Sequence, residues 1–169
     1  KELKYGAVNS INWLRVVAQV VYYFWCYFNV TSSDSEQVTF VVPSGNFGNA
    51  LAGWYAKQMG LPIRIIVASN ENMVLTNVFE NGIYRPLEVI ATTSPSMDIS
   101  VSSNLERLLY YLFGQDGGRV RDEYVRLKNG GAIAVDRMEL YAMGFAAGFA
   151  AEWQCHDAME YLWREHQYI

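Results

Sequence analysis

Cysteine is scarce: Cys26 and Cys155 are the only two in 169 residues. Cys26 lies in an apolar run and Cys155 in a polar helical stretch, so the thiols do not form the spaced set of a disulfide framework. A reducing, cytoplasmic compartment is the simpler expectation. Charge is also sparse, at 18% of residues, and a formal net charge of −4 leaves no basic footprint. That argues against a nucleic-acid partner and against binding to an anionic membrane. The chain opens without the charged segment and short apolar core of a secretory leader. Its most apolar run, 16–28, is too short to span a bilayer, with Arg15 before it and Gln19 inside it. His156 and His166 stand ten positions apart rather than one helical turn apart, which disfavours a metal site.

Apolar and aromatic side chains are abundant, at 51% and 15%, which excludes a disordered chain. At this length a domain buries roughly 70% of its unfolded surface. The periodicity predicts a helix over 12–28, apolar on nearly every face and therefore buried or at an interface. A polar connection over 31–36 leads to a predicted strand over 38–42, bounded by Pro43. A helix over 50–59 follows, ended by Gly60 with Pro62 beyond it. A second strand over 63–68, a helix over 73–80 stopped at Asn81-Gly82, and a third strand over 87–91 complete the alternation.

This pattern predicts an α/β fold, with a small parallel sheet of about three strands and crossover helices in a three-layer core. Right-handed crossovers bring the loops after the strands to one edge, where open α/β sheets bind ligands. Beyond Thr92, helices are predicted over 104–113, 120–127 and 153–166, while 129–151 has no clear pattern. The C-terminal third is thus expected to be helical. Residues 1–169 read as a single partial domain, with an α/β core over 1–113 and a helical extension over 114–169.

Pro43-Ser44-Gly45-Asn46-Phe47-Gly48-Asn49 joins the first predicted strand to a helix. Gly45 and Gly48 are expected to let the backbone approach a ligand and adopt positive φ. The helix that follows aims its free N–H groups and positive dipole end into the loop. A phosphate there would accept backbone hydrogen bonds without lysine or arginine, with Ser44, Asn46 and Asn49 as neutral side-chain donors. Glycines between strand and helix also serve turn geometry alone, and the residues by themselves leave the two readings even. The loop is neither G-x-G-x-x-G nor followed by G-K-[ST], so dinucleotide and P-loop readings are weak.

Several stretches, in order, carry a resemblance. They are A-V-N-S-I-N-W at 7–13, V-V-P-S-G-N-F-G-N-A at 41–50, A-G-W-Y-A-K-Q-M-G-L-P-I at 52–63, A-S-N-E-N at 68–72 and S-P-S-M-D-I-S-V-S-S-N-L-E-R-L-L at 94–109. Through them the chain resembles the threonine synthase family of fold-type-II pyridoxal-phosphate enzymes, densely over about 7–113. The resemblance implies that Gly45, Asn46, Phe47, Gly48 and Asn49, with Ser44 beside them, cradle the cofactor phosphate. Many family members carry Asp where this chain has Asn49. Asn9, Ser10 and Asn12 belong to a family hallmark near the active site, although helix capping explains them equally well. Ser94 and Asp98 fall in a stretch that lines the cleft, Asp98 as a carboxylate that could orient loops.

The family eliminates phosphate from O-phosphohomoserine and adds water to give threonine, with pyridoxal phosphate as electron sink. The lysine that holds the cofactor as a Schiff base lies upstream of N-S-I-N-W, in a segment this chain does not contain. Lys1, Lys4, Lys57 and Lys128 do not sit in that motif, and Lys57 reads as a solvated surface residue. A Pro-His-Thr motif is expected beyond residue 169. By this reading the chain alone is inactive. The alternative is a non-catalytic interaction or anion-binding module, self-associating through exposed apolar surface such as the aromatic run 22–28. Glu106 and Arg107 read as surface charges at a capped helix start.

Overall fold

The computed structural model describes Asn9 and residues 11–168. Ser10 lies outside the described residues. Helix α1 (Trp13–Val30) starts where Asn12 turns extended and its Oδ1 accepts the N–H of Leu14 at 3.0 Å. Only Val16, Tyr23 and Tyr27 are buried along it. Its apolar character all round therefore leaves a large apolar face open.

Strand β1 (Val38–Pro43) leads through a tight loop into α2 (Gly48–Gln58), then β2 (Ile63–Ser69) and α3 (Val74–Asn81). A short β3 (Ile83–Tyr84), a 3-10 turn at Pro95–Met97, α4 (Leu105–Leu112) and α5 (Gly117–Lys128) follow. The chain continues with β4 (Ile133–Ala134), α6 (Arg137–Ala142), β5 (Phe145–Phe149) and α7 (Glu152–His166). The main sheet is parallel with order β1-β2-β5, and β3 pairs antiparallel with β4. Central β2 alternates strictly, with Ile63, Ile65, Val67 and Ser69 buried on one face and the other face half-buried. The fold is thus the expected α/β arrangement around a small parallel sheet.

The third strand differs from the expectation. Residues 87–91 form no strand; β5 occupies the position beside β2. The backbone of Ile90 instead pairs with a side chain: its N–H donates to Asn72 Oδ1 at 2.8 Å, and its carbonyl accepts from Asn72 Nδ2 at 2.8 Å. The carboxamide takes the place of a neighbouring strand. The Phe-Ala-Ala-Gly-Phe segment that fills the sheet has too few branched side chains to announce itself from sequence. The C-terminal third consequently supplies a sheet strand as well as α5, α6 and α7.

Among the described residues no helix is long and apolar enough to cross a membrane. No group of three or more His, Cys, Asp or Glu there could hold a metal ion.

Candidate phosphate-binding site

The loop over 44–47 leaves the C-terminal end of β1 and turns directly into α2. The Ser44 N–H donates to Ala68 O at 3.0 Å, and the Ala150 N–H to Ser69 O at 3.0 Å. The loops after all three sheet strands therefore meet at one edge. Helix α2 is entered through Phe47, which adopts the left-handed conformation at φ 61° and offers no side-chain cap. The first turn of α2 holds no acidic residue. The N–H groups of a first helical turn have no intrahelical acceptor, so Gly48, Asn49 and Ala50 present theirs toward the loop. Asn12, Asp116 and Asp136 cap α1, α5 and α6 with their side chains, whereas α3 shares with α2 an uncapped start free of acidic residues.

Positive φ falls on Phe47, not on Gly45 or Gly48 as the glycine pattern suggested. A left-handed non-glycine residue is disfavoured by about 1–2 kcal/mol. The fully buried Phe47 ring offsets this, stacking on Phe79 at 5.7 Å and packing on Phe145 at 5.7 Å. Gly45 serves a different purpose: a Cβ there would lie 2.6 Å from the Ser96 carbonyl oxygen. The 3-10 turn over Pro95–Met97 thus packs directly on the loop.

Asn46 is held through its oxygens, and Asn49 through both ends of its carboxamide. The Asn46 carbonyl accepts the Asn104 N–H at 3.1 Å and Asn104 Nδ2 at 2.9 Å, and its Oδ1 accepts the Ser103 N–H at 3.4 Å. Asn49 faces α1: the Tyr23 hydroxyl donates to its carbonyl at 2.9 Å and its Oδ1 at 2.8 Å, and its Nδ2 donates to Gln19 Oε1 at 3.1 Å. Burial, with the Cys26 thiol as a smaller contributor, raises the Tyr23 pKa, so the phenol stays a donor. An Asp at position 49 would keep both acceptors for Tyr23 and lose the donor to Gln19. The oxygens of Asn46 and the carboxamide of Asn49 thus fasten the loop to α4 and α1.

Asp98 binds the neighbouring loops together. Its Oδ1 accepts from Thr92 Oγ1 at 2.7 Å, Asn70 Nδ2 at 2.7 Å and Asn72 Nδ2 at 3.0 Å, and its Oδ2 from the Thr92 N–H at 2.9 Å. The Thr92 hydroxyl and N–H, then Asn70, hold its carboxyl below the ordinary carboxylate value. Ser94 is exposed and precedes the 3-10 turn; its N–H donates to Thr92 Oγ1 at 3.1 Å and its carbonyl accepts from Met97. Asn9 caps its own turn, with Oδ1 accepting from the Ile11 N–H at 3.0 Å. Asn9 and Asn12 therefore use their side-chain oxygens locally.

Sequence reasoning missed two residues. Fully buried Asn104 accepts a close hydrogen bond from Arg107 Nη1, and Arg107 Nη2 donates to Ile11 O at 2.6 Å. Arg107 is not a solvated surface charge. Its partners lie at sequence separations of 96 and 3, so only the run S-S-N-L-E-R itself could have drawn attention to it. Lys57 is also half-buried, donating to Ile63 O at 3.2 Å at the start of β2. It stands nine residues past Gly48, roughly 13 Å down the helix axis, at the sheet edge opposite the loop. A groove of about 780 Å³ is lined by Ile11, Arg107 and Tyr124 among others and includes none of residues 44–49.

Fold and site together define a parallel α/β unit with a glycine-containing loop and an uncapped helix start at the C-terminal edge of its sheet. Threonine synthase from Methylobacillus glycogenes is 49% identical over 152 residues, covering 88% of this chain and 32% of that protein. The Saccharomyces cerevisiae threonine synthase is 50% identical over 144 residues, covering 78% of this chain and 28% of that protein. A crystal structure of pyridoxal-phosphate-bound threonine synthase from Brucella melitensis superposes with a TM-score of 0.89 at 39% identity, over 97% of this chain and 36% of the other. No family model matches. The chain is a partial segment homologous to the threonine synthases, spanning about a third of the length of the curated relatives it matches.

Proposed function

We propose that this chain supplies the phosphate cradle of a pyridoxal-phosphate-dependent threonine synthase, acting on O-phosphohomoserine to give threonine and phosphate. The observation that carries the reading is the start of α2, uncapped by any side chain and free of acidic residues in its first turn. Such a helix end favours an anion through its N–H groups and dipole. The phosphate of pyridoxal phosphate fits that donor set. When bound, the cofactor supplies the electron sink for elimination and hydration.

The chain's own residues have narrower tasks. Backbone N–H groups of Gly48, Asn49 and Ala50 hold the phosphate, beside Ser44 and Gly45. Asn46 and Asn49 fasten the loop to α4 and α1, and Phe47 fixes its αL turn. Asp98 holds the 92–98 segment against Asn70 and Asn72, with Ser94 exposed at its rim. Lys57 is too far along α2 to anchor a cofactor at the loop, so the chain binds it without a covalent link. Residues 1–113 carry this cradle and 114–169 extend it. The unpaired thiols of Cys26 and Cys155 suit a reducing cytoplasm, and the parallel crossovers suit the fold-type-II assignment.

Titrating the protein with pyridoxal phosphate while following its absorbance tests this reading. Saturable binding displaced by inorganic phosphate is expected, with negligible threonine formation from O-phosphohomoserine. Absence of saturable binding would overturn the cofactor reading, and robust turnover would overturn the division of labour.

A second reading rests on a separate observation: α7 buries no residue at all, and α1 leaves Leu14, Val21, Tyr22, Trp25 and Phe28 exposed. Apolar faces of that extent mark contact surfaces, and the chain self-associates through them.

A further inference from the structure

We propose that Asn104 and Arg107 are a positioning pair that sets the orientation of the phosphate cradle, an inference that rests on the function proposed above. Asn104 precedes α4 but does not cap it with its side chain. The side chain turns to the loop instead, and both ends of its carboxamide are engaged inside a fully buried environment. Nδ2 donates to Asn46 O at 2.9 Å, and Oδ1 accepts from Arg107. Arginine can only donate, so it fixes which end of the carboxamide is oxygen and leaves the nitrogen aimed at Asn46.

The consequence follows from peptide geometry. The Asn46 carbonyl and the Phe47 N–H belong to one planar trans peptide and point in opposite directions. Anchoring the carbonyl on Asn104 with two hydrogen bonds aims the Phe47 N–H away from α4 and fixes the peptide that leads into the αL turn. Gly48 lies beside the same clamp: a Cβ there would sit 3.4 Å from Asn104 Nδ2. Arg107 extends the clamp to Ile11 O at 2.6 Å and lies with its guanidinium carbon 5.7 Å from the Trp13 ring centre. One half-buried cation thus joins the N-S-I-N-W stretch to the phosphate loop.

The test compares dissociation constants for pyridoxal phosphate and for pyridoxal, which lacks the phosphate, in the wild-type protein, Arg107→Lys and Asn104→Ala. Circular dichroism confirms that each variant is folded. Arg107→Lys keeps the charge but cannot make both directed bonds. It is expected to weaken pyridoxal phosphate binding roughly 10-fold, as loss of a charge-assisted hydrogen bond does. Pyridoxal binding should stay unchanged, and Asn104→Ala should lose at least as much of the preference for the phosphate. Full wild-type behaviour in Arg107→Lys would mean that charge alone matters and would overturn the pair. Equal loss for both ligands would also overturn it. A wild-type protein that does not distinguish the two ligands would overturn the functional reading as well, whereas a wild-type preference that survives both variants overturns the pair alone. If Asn104→Ala fails to fold, the half-buried Arg107 still decides the outcome.

Discussion

At the scale of single residues, the cage around Asp98 shows how neutral donors fix a carboxylate. Three side-chain donors and one backbone N–H converge on it from Asn70, Asn72 and Thr92. The Thr92 hydroxyl and N–H lower its pKa from the ordinary 3.8. A carboxylate whose folded pKa is depressed stabilises the fold fully above its unfolded value and loses that contribution as pH falls through the folded value. Asp98→Asn should therefore lower the melting temperature at pH 7, because a carboxamide N–H₂ would face other donors. Its deficit relative to the wild type should shrink as pH falls below about 4. A deficit independent of pH in thermal melts would contradict the role given to the charge. Asp98 was singled out from its place in the 94–98 stretch, but the donors that cage it come from Asn70, Asn72 and Thr92 and were not legible in sequence. The conformations of Gly45 and Gly48 were not legible either, because the αL residue is Phe47 and its stability comes from the Phe79 and Phe145 rings. Arg107 was misread for a related reason: a cation in a helical run looks solvated until a distant carbonyl is folded against it.

At the scale of elements, α1 and α2 come into close contact at Gly53. A Cβ on Gly53 would lie 2.6 Å from Tyr23 Cζ and 2.9 Å from its hydroxyl oxygen. The ring cannot swing aside without breaking two hydrogen bonds to Asn49. Alanine would favour the helix by about 1 kcal/mol, but overpacking of this kind typically costs about 1–3 kcal/mol. Gly53→Ala is accordingly expected to lower stability by about 1 kcal/mol in urea titrations; a more stable variant would show that Tyr23 is not seated there. Most elements could be read from sequence: β1, α2, β2 and α3 fall within a few residues of their expected bounds. The segment 87–91 misled because its apolar content suits a strand, while the side chain of Asn72 satisfies its backbone. Strand β5 escaped notice because alanine and glycine carry little strand preference.

At the scale of the whole molecule, two helices leave large apolar surfaces exposed. Leu14, Val21, Trp25 and Phe28 on α1 are each more than half exposed, as are Trp153, Met159 and Tyr161 on α7. The proposed self-association predicts a concentration-dependent rise in molar mass by light scattering, and a strict monomer at high concentration would refute it. The donors of the proposed cradle are backbone amides, which can be observed one by one. The most direct measurement is a pyridoxal phosphate titration of ¹⁵N-labelled protein, following each amide by NMR. Saturable shifts concentrated at Gly45 through Ala50, reproduced in part by inorganic phosphate, are the predicted result. Shifts confined to other residues, or none at saturating ligand, would contradict the account.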